Sequence, residues 1–298
     1  MKIYKSKKAE ERILSTYDAL LQQWNVPVTQ ADVETRYGTT HINICGKQDG
    51  APLMLFHGVG DDSALMWIYN AAKLSEEFRV YAIDTIGGPG KSKPNENYNK
   101  SFDDAIWIDD VLKGLGLDKI NIAGVSHGGY LTQYYCHMRP DKVIRAICMA
   151  ASVSAGKSGN TLMTMFKVFF PEALFPTNKN ISKLIRKLSG ENSGAFTGNQ
   201  LIMEHFTYLL KGYNNMAMGH HKVTTFTEEQ IDIIRDKCLF LVGESDPFMT
   251  LGGKEMLNSY RMRTKYFPKV GHGINHEIAD EINSILIDYF KEKINVKN

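Results

Sequence analysis

Apolar positions along this 298-residue chain follow two alternating rhythms. Short continuous apolar runs read as buried strands, and stretches with apolar residues three and four apart read as amphipathic helices. Residues 8–24 are of the second kind. Ile13, Tyr17, Leu20, Leu21 and Trp24 share one face with charges opposite, and Pro27 closes the segment. This helix can pack on the main domain or mediate association. Residues 33–37 and 40–45 predict two strands joined at Gly38-Thr39. Then come an apolar run at 53–56, a helix over 63–74, a strand at 79–83 ending at Asp84, and a helix over 102–115 with Trp107, Val111 and Leu112 on one face. A strand at 120–123, a helix over 130–138 and a strand at 143–150 follow. Strands that are apolar throughout need cover on both faces, so alternation with helices predicts a mostly parallel sheet between helical layers.

The rhythm breaks near Ser152. Residues 152–222 carry no strand-like run. Met163, Phe166, Phe169 and Phe170 form one apolar group there, and Leu201, His205, Phe206, Leu209 and Leu210 form another at helical spacing. This predicts a helical insertion after the sixth predicted strand. The alternation resumes with a strand at 238–242, a helix over 254–258 and a strand at 264–267. It ends in a helix over 277–294 carrying Ile278, Ile282, Ile285, Leu286, Tyr289 and Phe290. The predicted organisation is an N-terminal helical extension (1–30), an α/β core in two pieces (31–151 and 223–298) and the insertion (152–222).

Composition narrows the partners. Thirty-five basic and 33 acidic residues leave a formal net charge of +2, which gives no reason to expect nucleic acid or an anionic membrane. No run approaches the ~20 apolar residues that span a bilayer, and the first 25 residues lack the apolar core of a secretory signal. The four cysteines, at 45, 136, 148 and 238, lack Cys-x-x-Cys spacing, and three lie in strand-like runs. Buried free thiols in a cytoplasmic protein are expected, with no metal and no cofactor. The sequence leaves a homodimer open.

The densest chemical signal is Gly124-Val125-Ser126-His127-Gly128, between an apolar run and a helix. A tight strand-to-helix turn forces its central residue into strained backbone angles and brings neighbouring backbone close, so glycines flank it. Ser126 would stand at the tip, beside the N–H groups of the following helix. A serine hydroxyl is a weak nucleophile that needs a base and a group to orient that base. In an open parallel sheet such groups gather at the carboxyl ends of strands. His272, between glycines just past the last strand, is the expected base. His276 competes from the start of the final helix, where a capping or surface role fits better. The strand at 238–242 runs into Gly243-Glu244-Ser245-Asp246, making Asp246 the expected acid and Glu244 the alternative. The strand after the nucleophile ends in Met149-Ala150-Ala151-Ser152 and offers no carboxylate. Two backbone N–H groups should hold the developing oxyanion. His127 supplies one. The loop His57-Gly58-Val59-Gly60 supplies the other, from Val59 or alternatively Gly60. The His57 ring is expected to be hydrogen-bonded within that loop.

With these residues in place, the chain resembles the α/β-hydrolase superfamily, in the subgroup with a helical cap inserted after strand 6. The resemblance rests on His57-Gly58, Gly124-x-Ser126-x-Gly128, Gly243-x-x-Asp246 and Gly271-His272, and it spans about residues 33–294. It implies the α/β-hydrolase fold and acyl transfer to water through Ser126, Asp246 and His272, and the Met and Phe content of the insertion adds the expectation of a small to medium, apolar carboxylic ester. It implies further that cap helices shape the pocket; Met66 and Trp67, soon after the loop at 57–60, are candidate lining by their position. Asp84, which opens Asp-Thr-Ile-Gly-Gly-Pro-Gly-Lys-Ser, reads as structural. Position 85 is Thr, so this stretch lacks the first glycine of a nucleotide-binding phosphate loop. The same triad also serves carbon–carbon bond hydrolases, lactonases and perhydrolases of this fold. A weakly catalytic ligand receptor is the reading from a different class.

Overall fold

The computed structural model describes residues 2–155, 168–170, 172 and 175–292. Its centre is one nine-stranded sheet. The strands are β1 (Thr29–Thr35), β2 (Gly38–Gly46), β3 (Ala51–Phe56), β4 (Phe78–Ile83), β5 (Lys93–Pro94), β6 (Ile120–Val125), β7 (Val143–Met149), β8 (Cys238–Gly243) and β9 (Thr264–Phe267). They lie in the order β1-β2-β4-β3-β6-β7-β8-β9, with β5 on β2. From β4 through β9 neighbours pair in parallel, while β2 pairs antiparallel with β1, β4 and β5. The first hairpin turns at Arg36-Tyr37, two residues earlier than the spacing predicts. Gly38 has φ 123° and opens β2 directly opposite Thr35. The short β5 escaped the apolar pattern, so the insertion follows β7.

The apolar strands bury both faces. In β3, Met54 and Phe56 point into a core with Trp107 and Tyr135. Leu53 and Leu55 point into the opposite core with Tyr17, Leu74 and Leu286. The helices that cover the sheet are α1 (Lys7–Gln22), α2 (Ser63–Met66), α3 (Ala71–Ser75), α4 (Asp104–Leu115) and α5 (His127–Met138). The insertion contributes α6 (Asn178–Leu188), α7 (Gly194–Thr197) and α8 (Gln200–Gly212), and a 3-10 turn at Asn215–Met218 follows. The chain returns to the sheet through α9 (Glu228–Lys237) and continues with α10 (Lys254–Ser259), α11 (Ile274–Glu277) and α12 (Ala279–Lys291). The helix predicted over 277–294 is α12, which starts after a break at Ile278 that separates it from the short α11; positions 293 and 294 lie outside the described residues. Among the described residues no helix is long and apolar enough to cross a membrane.

Helix α1 is part of this body. Ile13, Tyr17, Leu20, Leu21 and Trp24 are all buried. Burying such side chains stabilises by about 1.5–3 kcal/mol each. The exposed Lys91–Asp18 ion pair at the same helix is worth at most about 1 kcal/mol. The apolar stripe therefore fixes α1 against the sheet and α8. Of the first apolar group of the insertion, Met163 and Phe166 lie outside the described residues, and the Phe169 ring lies 6.2 Å from that of Phe248. All four cysteines are free and buried.

Candidate active site

The parallel strands deliver their ends to one edge. Hydrogen bonds continue the ladder past the strands, from Ser126 N–H to the Met149 carbonyl, Ala150 N–H to Leu241 and Ser245 N–H to Val270. The loops after β6, β7, β8 and β9 are thereby held side by side, and the pairing of Phe56 with Gly124 sets the loop after β3 next to them.

Ser126 stands between β6 and α5 with φ 57° and ψ −116°, a left-handed conformation that a non-glycine residue adopts only when its surroundings impose it. The flanking glycines permit it. A Cβ on Gly124 would lie 2.1 Å from the Gly128 carbonyl oxygen, and one on Gly128 would lie 2.3 Å from the Phe56 carbonyl oxygen. The His57-Gly58 loop passes directly over the turn, since a Cβ on Gly58 would sit 3.4 Å from that of Ser126. His127 is the first residue of α5, so its N–H has no partner within the helix.

Asp246 and His272 meet. Nδ1 of His272 lies 2.8 Å from Oδ2 of Asp246, whose side chain is fully buried. A carboxylate only accepts, so Nδ1 carries the proton and Nε2 remains an acceptor. The other Asp246 oxygen takes the Phe248 N–H at 2.8 Å. The Phe248 ring packs 4.8 Å from the imidazole. Burial disfavours charge on His272, but the Asp246 charge and hydrogen bond, with Glu277 behind them, outweigh it. The pKa stands above the ordinary 6.5. Ser126 and His272 share the edge without a hydrogen bond between them among the described contacts, as is common before substrate binds.

The competing residues have other partners. Glu244 is on the surface, 2.7 Å from Lys254. His276 is buried, contrary to the capping or surface role expected for it. Its Nε2 meets the Leu65 carbonyl at 3.0 Å, and burial lowers its pKa to about 4. Nε2 of His57 accepts the Thr85 N–H at 2.9 Å, so its proton sits on Nδ1 and goes to the Gly58 carbonyl at 2.8 Å. Asp84 takes bonds from Tyr17, Ser63 and the Lys91 N–H, and a Cβ on Gly90 would strike its carboxylate. Val59 is 46% exposed at the edge. Met66 and Trp67 are both buried in the core, and Met66 lies beside Gly58.

Glu277 carries no signal in the strand-end pattern. It is buried, and its carboxylate accepts the N–H groups of Gly190 at 2.7 Å and Gly271 at 3.1 Å. It thus ties the His272 loop to the chain leaving α6. Its position five residues past His272 is the one hint in the sequence. Among the described residues no group of three or more His, Cys, Asp or Glu side chains gathers as a metal site.

The family model described as alpha/beta hydrolase fold matches residues 51–277. Carboxylesterase YbfK of Bacillus subtilis is 37% identical over 139 residues, covering 47% of each chain. The uncharacterized carboxylesterase nap of the same organism is 35% identical over 139 residues, covering 47% of this chain and 46% of that one. These matches span about half the length of the relatives. The solved structure of naproxen esterase (carboxylesterase NP) from Bacillus subtilis superposes with a TM-score of 0.82 at 23% identity, over 96% of this chain and all of that one.

Proposed function

The chain belongs to the α/β-hydrolase family, and we propose that it is a carboxylesterase that works through an acyl-enzyme on Ser126. The Ser126 hydroxyl attacks the ester carbonyl, and its proton passes to Nε2 of His272. Asp246 holds the opposite N–H, which fixes the tautomer and stabilises the imidazolium. The carbonyl oxygen becomes negative and is received by the N–H groups of His127 and Val59, with Gly60 as the alternative to Val59. Collapse expels the alcohol, which takes the proton from His272. Water then attacks the acyl-enzyme, gives a proton to His272, and releases the acid as Ser126 recovers its own. The insertion over 152–222 acts as a cap that shapes the pocket. Phe248, Met66 and Val59 give that edge an apolar character suited to small or medium apolar esters.

The observation that carries this reading is the His272 ring, with one nitrogen on buried Asp246 and the other uncommitted at the edge where the strained Ser126 stands. The test is labelling with a fluorophosphonate, mass mapping of the adduct, and a chain-length series of p-nitrophenyl esters. Labelling at Ser126 with ester turnover is expected, and the optimum chain length sizes the pocket. A folded protein that neither labels nor turns over any ester overturns the reading.

A further inference from the structure

The loop that would supply the second oxyanion N–H hangs between two histidines. At its start, His57 is fastened to Thr85 and Gly58 as described. At its end stands Asp62, fully buried, with one oxygen capping α2 through the Leu65 N–H at 3.0 Å. The other oxygen lies 2.7 Å from Nε2 of His205. His205 comes from α8 in the insertion, and both side chains of this pair are inaccessible to solvent. Nδ1 of His205 in turn lies 2.7 Å from the Thr16 hydroxyl on α1. Val59, Gly60 and Asp61 are the span between these fastenings. Gly60 has φ 73°, and a Cβ on it would lie 3.4 Å from the Asn215 side chain, in the turn that follows α8.

We propose that His205 is a positioning residue for the oxyanion loop. It acts through Asp62 and makes the insertion part of the catalytic geometry as well as a wall of the pocket. The inference rests on the esterase reading above. Its physical basis is the sensitivity of oxyanion stabilisation to position. A preorganised donor must lie about 2.7–3.1 Å from the developing charge. A buried aspartate stripped of its partner would pull toward water or a new donor, and the three-residue span would move with it.

Two substitutions separate the two contacts of His205. In His205→Gln the terminal amide takes the place of Nε2, keeping Asp62 and giving up Thr16. In His205→Asn the shorter amide takes the place of Nδ1, keeping Thr16 and giving up Asp62. Both are measured for melting temperature, for kcat and KM on a p-nitrophenyl ester, and for inhibition by a trifluoromethyl ketone, which forms the tetrahedral oxyanion. The expected result is a kcat about 10- to 100-fold lower for His205→Asn with KM little changed, and inhibitor affinity weakened by a similar factor. His205→Gln should stay within about threefold of wild type. A structural role alone would lower both melting temperatures and leave kcat alike in the two variants, which overturns the proposal. A rise in KM without loss of inhibitor affinity also overturns it, by making His205 a pocket wall. A wild-type protein inert to esters and to fluorophosphonate would sink the esterase reading itself, a result distinct from either.

Discussion

His272 and His205 are each paired with a fully buried aspartate at nearly the same distance, 2.8 and 2.7 Å. What separates them is the second ring nitrogen. In His205 it is spent on Thr16, and the residue is sealed on all sides. In His272 it has no hydrogen-bond partner among the described residues, and the side chain keeps 17% exposure at the carboxyl edge. A histidine–aspartate pair with both nitrogens committed is a joint between elements. One with a spare nitrogen at the edge that carries a strained serine can move a proton. The comparison also explains why the two loops around Ser126 are built differently. The loop after β9 is stapled through its backbone by the Glu277 carboxylate, whereas the loop after β3 is fastened at both ends through rings, His57 at its start and His205 on Asp62 at its end.

The sharpest way to break this contrast is to remove the proposed nucleophile. Ser126→Ala should lower kcat by about 10⁶ and abolish fluorophosphonate labelling, with folding retained. Residual labelling at another residue would move the chemistry elsewhere. Next comes Asp246→Asn, which leaves the ring in place and removes the charge that selects its tautomer. A loss of about 10⁴ in kcat is expected. The pH profile adds an independent reading. In the proposed role of base His272 must be neutral, and its pKa lies above 6.5, so kcat/KM should fall as the pH drops through that raised value. In Asp246→Asn the burial that disfavours the imidazolium remains while the attraction is gone, so the acid limb should move to lower pH. An unmoved limb would show that another group sets it. The His205 pair follows in size, at about 10- to 100-fold for the asparagine variant.

What the sequence disclosed, and what it hid, follows the same divide. Ser126, Asp246 and His272 are each marked locally, by a strand that ends and a glycine that lets the backbone pass, so their neighbourhood could be read from short windows. Thr227-Glu228-Glu229-Gln230, followed by Ile231 and Ile234, is also a local start signal, and the structure forms the complete capping box there. The helix itself is short and polar outside Ile231, Ile233 and Ile234, too few apolar positions for a helical period to show. The Asp62–His205 joint has no such mark. Its members are 143 residues apart, and His205 reads as one more position on an apolar helical face. Only the packing of α8 on α1, whose apolar stripe is buried in the core, brings them together. Glu277 was hidden for the same reason, since its partners Gly190 and Gly271 meet only in the folded chain.

Glu277 and Glu244 supply the smallest effects, and together they test whether proximity to His272 or burial beside it is what counts. Glu277→Gln keeps one acceptor for the two glycine N–H groups and loses a charge that raises the His272 pKa. A loss of stability of about 1–3 kcal/mol is expected from the unsatisfied buried donor. The acid limb should shift downward by less than in Asp246→Asn, because Glu277 contributes least of the groups raising that pKa. Glu244 is closer to Asp246 in sequence, yet its carboxylate is 39% exposed and bonded to Lys254. Solvent screens such a pair to about 0–1 kcal/mol, and none of its contacts reaches the imidazole. Glu244→Gln should therefore leave kcat, KM and the acid limb within about twofold of wild type. A loss approaching that of Asp246→Asn would reassign the acid to Glu244 and require the loop after β8 to rearrange when substrate binds.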